Sequence, residues 1–418
     1  GYAAAALTPE GDLYTWGRND EGQLGNGSFS QKTIPGKILE GVADVVVSLE
    51  FVAALMQDGR VLYWGEGIVT PLEATLPENI TIQQIEIFDR DELLLLANDG
   101  TVWKGDFDQL NDTAPSLEDS LPEISMLASG YNHTLALTVN GTVMALGSNY
   151  YGSLGNGTTN SSYSEWVSVL KLSEPVENVF AGSYKSYALT ETGALYGWGR
   201  NNYQSLGDGT SVDRNVPVWI ADGISDVAPG YYNSLILNDV GQAFVAGTRS
   251  SGWFDVSCPS DEALCDLGMS ATLIAMYNEV AFLSNDDGLI FSGESNYGVA
   301  GNGTVTSAFA TGNVLFGLES YFSEPGLETF ENSASLVNWS NADNRWQVTD
   351  TEAATGSHSL MLQKVVADYG STSLVFESET LAGDFSFMVK TSTEANYDEL
   401  TFLIDGEEKL RLSGENDW

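Results

Sequence analysis

The chain has 418 residues, with 58 Asp plus Glu against 16 Lys plus Arg and a net charge of −42 at pH 7. Its length favours two domains over one, and 43% hydrophobic with 11% aromatic residues is enough for large cores, which excludes global disorder. A field of that sign repels nucleic-acid phosphates and anionic lipid, so neither nucleic acid nor a membrane surface is expected as a partner. The longest apolar runs, such as residues 93–97, are strand-sized, far short of the ~20 residues of a spanning helix.

In chain order, the first informative stretch is Leu13-Tyr14-Thr15-Trp16-Gly17-Arg18-Asn19-Asp20-Glu21-Gly22-Gln23-Leu24-Gly25-Asn26-Gly27. It opens with the two-residue period of a strand and closes in a glycine-dense turn that suits close backbone approach. The same device returns over residues 144–157 and 195–209. A turn with glycine at its second place recurs at Glu10-Gly11, Asp58-Gly59, Asp99-Gly100, Asn140-Gly141, Thr192-Gly193, Val240-Gly241 and Asp287-Gly288. The separations are 48, 41, 41, 52, 48 and 47 residues, and each turn follows an apolar strand. Asp-Gly and Asn-Gly predict type I′ hairpins. Seven all-β units of this length predict a propeller, in which each small sheet buries its faces against its neighbours.

The shared pattern, Gly-x-x-x-x-apolar-Ala-Leu-Thr-x-x-Gly-x-apolar-Tyr-x-Trp-Gly-x-Asn-x-x-Gly-x-Leu-Gly-x-Gly, resembles the repeat of the regulator of chromosome condensation family. That resemblance implies a seven-bladed propeller over residues 1–317. The second and third repeats have altered loops after Gly65 and Gly105, and the sixth has Gly252-Trp253-Phe254-Asp255 where the pattern wants Gly-Gln-Leu-Gly. Gly1 stands where Gly130, Gly182 and Gly230 end a leading strand, so the first repeat lacks that strand. Residues near Asn313-Val314-Leu315-Phe316 are expected to fill the gap and close the ring. Residues 318–326, with Pro325-Gly326, read as a linker.

Residues 327–418 carry no propeller repeat and read as strands, with Asp405-Gly406 as a hairpin turn. Gly356-Ser357-His358-Ser359-Leu360, Tyr397-Asp398-Glu399-Leu400, Ile404-Asp405-Gly406 and the closing Asp417-Trp418 resemble concanavalin-like and MAM-like jelly-roll modules of secreted bacterial proteins. The resemblance implies a β-sandwich that is incomplete at Trp418 and is continued by further sequence or by a partner chain. The expected class is therefore all-β, a propeller plus a C-terminal sandwich.

Chemistry-bearing residues are sparse. Cys258 and Cys265 share one loop and form either a local disulfide or two thiols, the disulfide pointing to an oxidising compartment. His133 lies in a strand pattern as a packing residue, and His358 beside a turn. No Ser/His/Asp arrangement stands out, so no enzyme activity is expected. Calcium is the one cofactor considered. Asp106, Asp108 and Asp112 offer oxygen ligands on a loop without the spacing of an EF-hand, and Asp398 and Asp405 are candidates by resemblance alone. Aromatic loop residues are the candidate binding surface: Trp253, Tyr150, Tyr151, Tyr203 and Tyr297. The expected function is a secreted or cell-surface interaction protein, a structural or adhesive part of an assembly with protein partners or copies of itself. The alternative is a glycan-binding module accessory to a secreted enzyme.

Overall fold

The computed structural model describes residues 3–88, 92–247, 262–277, 280–285, 288–295, 297–303 and 305–314, together with a set of short strands between 328 and 416. The chain divides into two compact units, Gly1–Phe316 and Gly317–Trp418.

The first unit is a seven-bladed propeller. Six blades are four-stranded antiparallel sheets in simple up-and-down order, and the first has three strands among the described residues. Blade one comprises Ala3–Leu7, Leu13–Gly17 and Lys32–Leu39. The others span residues 42–73, 82–117, 124–168, 176–221, 224–270 and 273–313. The leading strands of successive blades adjoin one another and form the inner wall. Second strands are almost wholly buried, as in Leu93, Leu94, Leu95 and Leu96, all fully covered. Both faces of such a strand are covered by neighbouring blades, which removes the polar alternation of a half-exposed sheet.

The hairpin turns of the first five blades are not the type I′ expected, and the turn at Asp287 lies outside the described residues. In five of them the residue before the turn and the residue after the glycine pair directly, as in Ala97 N–H to Thr101 O at 2.9 Å, and the glycine N–H returns to Ala97 O at 2.9 Å. These are three-residue loops, with only the glycine left-handed: Gly100 has φ +80°, whereas Asp99 is not among the residues with positive φ. Asp99 acts instead through its side chain, accepting from Thr101 N–H at 3.0 Å. A type I turn closed by a left-handed glycine bulge meets both demands.

Ring closure also differs from expectation. Thr306–Asn313 is the outer strand of blade seven, with Asn313 opposite Ile290, so it does not complete blade one. The glycine loop after Gly288–Ser295 turns the chain back onto its own sheet. Leu315 and Phe316 lie outside the described residues. Blade seven meets blade one through one side chain and one backbone bond: the Trp16 indole donates to Val299 O at 2.7 Å, and Gly303 N–H donates to Thr33 O at 2.9 Å.

In the second unit the described strands pair antiparallel. Asn338–Asn341 lies between Glu328–Thr329 and Leu374–Glu377, and Trp346–Thr349 pairs with Ser359–Leu362. Leu400–Ile404 pairs with Glu407–Leu412, and Thr391–Ser392 with Glu415–Asn416.

Candidate functional site

The glycine loops build the platform for the site. Asn149 and Asn201 are fully buried and bridge their loops from within. The Asn201 amide donates to Thr210 O at 3.0 Å and Val212 O at 3.2 Å, while its oxygen accepts Leu206 N–H at 3.0 Å. Asn149 and Asn19 make the equivalent bonds in blades four and one. These asparagines satisfy backbone groups that a tight buried loop would otherwise strand. The Asn26 and Asn156 side chains, at the heads of Asn26-Gly27-Ser28 and Asn156-Gly157-Thr158, are held by the same networks.

At that end of blades four to six, five tyrosines gather around one arginine and a sixth, Tyr131, packs on Tyr184. Tyr131, Tyr184, Tyr231 and Tyr232 come from the loops between first and second strands, Tyr151 and Tyr203 from the glycine loops. Their rings meet edge to face: Tyr151–Tyr184 at 5.2 Å, Tyr184–Tyr231 at 5.9 Å, Tyr231–Tyr232 at 4.4 Å and Tyr203–Tyr232 at 4.7 Å. Arg200 follows Leu195–Gly199 and is 7% exposed. Its guanidinium lies 4.5 Å from the ring centre of Tyr231, 5.0 Å from Tyr203 and 5.2 Å from Tyr151, with Tyr184 and Tyr232 at 5.9 and 6.0 Å. Such stacking stabilises a desolvated cation through the ring quadrupoles. All six tyrosines remain half exposed, so the cluster presents aromatic surface to solvent.

Beneath the rings runs a second layer. His133, Lys185 and Asn233 occupy equivalent places in blades four, five and six, and all are buried. His133 Nε2 shares a hydrogen bond with Ser186 Oγ at 2.7 Å, and the Lys185 amine donates to Asn233 O at 2.8 Å. Burial holds the His133 imidazole down at about 4. Burial, and then the adjacent Arg200, push the Lys185 amine well below its ordinary range.

The sequence candidates are distributed as follows. Tyr151 and Tyr203 belong to the cluster, and Tyr150 stands beside it, 74% exposed. Tyr297 sits apart at the seam between blades seven and one, with Arg18 at 5.7 Å from its ring. Trp253, Cys258, His358, Asp398 and Asp405 lie outside the described residues. Cys265 is buried and disulfide-bonded at the start of Cys265–Ser270. Asp106 caps the short 3-10 helix Phe107–Gln109, accepting from Asp108 N–H at 3.0 Å and from Gln109 Nε2 at 3.4 Å. Asp108 and Asp112 are exposed on the same loop. Among the described residues no three His, Cys, Asp or Glu side chains converge as a metal-ligand group. Sequence reasoning missed Arg200, Tyr184 and Lys185. The signal was present: Lys185 stands where the repeat has His133 and Asn233, an aligned departure at a buried position.

Comparisons with known proteins fit this geometry. Residues 10–55 and 192–237 match one sequence model of the Regulator of chromosome condensation (RCC1) repeat, and residues 125–153 and 176–204 match a second. The first unit is thus a propeller of RCC1-type repeats. The ultraviolet-B receptor UVR8 of Arabidopsis thaliana is 26% identical over 255 residues, covering 59% of this chain and 51% of its own length. Protein pim1 of Schizosaccharomyces pombe is 26% identical over 275 residues, with 59% and 46% covered. The chain spans about half the length of these curated relatives. Human WBSCR16 superposes with a TM-score of 0.64 at 18% identity, over 73% of this chain and 95% of that one. Yeast RCC1 (Prp20), in a structure with Kap60, gives 0.61 at 19% identity, over 71% and 82%. These structures share the fold.

Proposed function

We propose that the protein is a non-catalytic interaction protein whose propeller recognises a protein partner through the tyrosine face of blades four to six. The observation that carries this reading is the convergence of Tyr151, Tyr184, Tyr203, Tyr231 and Tyr232 on Arg200, with Tyr131 against the Tyr184 ring. Tyrosine and arginine supply rigid, amphipathic contact area and dominate the energetic centres of protein interfaces. Yeast RCC1 (Prp20), of the same fold, has been crystallised with a protein bound, and its binding properties towards Gsp1p and histones have been described. A secreted or cell-surface setting, with the protein as part of an adhesive assembly, is supported by the disulfide at Cys265 and by the strong negative charge. The antiparallel strands between 328 and 416 support a β-sandwich as the second module. Glycan recognition is the second reading, favoured by Tyr150, whose ring is open enough to stack on a sugar.

The test uses the full chain as bait in extract from its source, beside a Tyr151→Ala/Tyr203→Ala variant with an unchanged melting curve. A protein retained by the wild type and lost from the variant is the expected result. Identical retention by both chains, or retention of polysaccharide in place of protein, defeats the proposal.

A further inference from the structure

Arg200 and Lys185 are an anomaly in the charge pattern. Arg18, Lys37, Arg60, Lys104 and Arg214 are all more exposed, and each sits on a carboxylate. Arg200 is 7% exposed and Lys185 1%, yet neither has a carboxylate partner among the described residues. The chain holds 58 acidic side chains, so anions are not scarce. Arg200 Nε donates to Asn202 Oδ1 at 3.0 Å, while Nη1 is buried with no hydrogen-bond partner. An ionised group out of water with a donor unsatisfied is destabilising unless an anion completes it. The ring quadrupoles compensate part of the charge and none of the missing hydrogen bond.

We propose that Arg200 is the receptor for a single carboxylate, an Asp or Glu side chain of the protein partner, admitted between the rings of Tyr151, Tyr203 and Tyr231. The proposal rests on the reading of this face as the recognition surface. A planar guanidinium pairs with a carboxylate through two parallel N–H bonds. A monoanion suits the site better than a phosphate, because a field of −42 penalises a second negative charge on the ligand. The three rings are half exposed, so rotation of one uncovers the guanidinium.

The experiment titrates the full chain with acetyl-aspartate amide, its neutral isostere acetyl-asparagine amide, and inorganic phosphate at constant ionic strength, reading the melting temperature. The expected result is a saturable rise with the aspartyl probe alone. Its half-saturation concentration increases at least tenfold in Arg200→Lys, which keeps the charge and the ring contacts, and the response vanishes in Arg200→Gln. If Arg200→Gln does not fold, Arg200→Lys decides. An equal response to both amides, a larger one to phosphate, or an unchanged one in Arg200→Lys overturns the assignment. Because the probes are small molecules, this titration can fail while the bait experiment succeeds, and the reverse.

Discussion

At the scale of single residues, the buried asparagines do work that the sequence shows only in outline. The Asn in Trp-Gly-x-Asn is visible as part of a pattern, but its partners, up to eleven positions away, are not. They follow from a buried loop whose carbonyls point inward. Removing one amide strands several backbone groups at once, each worth about 1–3 kcal/mol. Asn201→Ala should therefore lower the melting temperature by several degrees. Asn201→Asp should be no better, since a carboxylate accepts from Leu206 but donates to neither Thr210 nor Val212. A wild-type melting curve for either variant would contradict this account. The tyrosine cluster shows the limit of reading residues singly. Tyr151 and Tyr203 are found by their place on turns, whereas Arg200 looks like any polar residue after Trp-Gly until three blades fold around it.

At the scale of elements, strands, hairpins and period were legible because both signals are local: apolar runs, and glycine where φ must be positive. Turn type was not, because Asp-Gly fits a two-residue and a three-residue loop alike, and the choice falls to the register of the flanking strands. Nor was a bulge that recurs in the inner strands of five blades, as between Ile124 and Met126 or Val176 and Asn178. It answers to the adjoining blade: Gln84, just past the bulge of blade three, receives Leu127 N–H at 2.9 Å and donates to Leu127 O at 2.7 Å. The glycine loops are also inter-blade devices. A Cβ on Gly155 would come within 2.8 Å of Trp198 Nε1, and Gly25 and Gly301 face Trp64 and Trp16 at the same 2.8 Å. Gly155 has φ +63°, where a side chain costs about 1–2 kcal/mol. Gly155→Ala should destabilise by that amount plus the loss of the Trp198 bond to Ser153 O, measurable by denaturant titration. A midpoint shift corresponding to less than about 0.5 kcal/mol would show that the packing tolerates a methyl group.

At the scale of the whole molecule, buried titratable groups pull stability in opposing directions with pH. Glu86 sits in the inner wall, where burial, and then Asp44, push its carboxyl up to about 8. The folded state thus keeps a proton that the unfolded chain releases above its ordinary value near 4.5, and stability falls as pH rises from there to about 8. His133 acts in the other direction. Held near 4 when folded, it refuses a proton that the unfolded chain takes up below 6.5, so stability falls as pH drops through that window. The buried Lys185 amine, held below its ordinary range, acts in the same sense as His133, costing stability as pH falls from its ordinary value, so the Glu86 limb is read as the difference between wild type and a Glu86 variant. Glu86→Gln should flatten the alkaline limb by on the order of 1–2 kcal/mol, since part of the side chain still meets solvent and the penalty is screened. An alkaline limb identical to wild type in that variant would exclude Glu86 as its source.

The seam of the propeller has a consequence for how unequal repeats share one ring. Trp64 donates to Gln23 O, Trp198 to Ser153 O and Trp16 to Val299 O, always from one blade to the blade before it. At these three seams the indole of one blade takes its bearing from the loop of the blade before it. Angular errors add around the circle and are tested only where Trp16 reaches Val299. The glycine loops thus serve two ends at once: their carbonyls receive the indole of the next blade, and in blades four and five such loops present Tyr151 and Tyr203 to the recognition face.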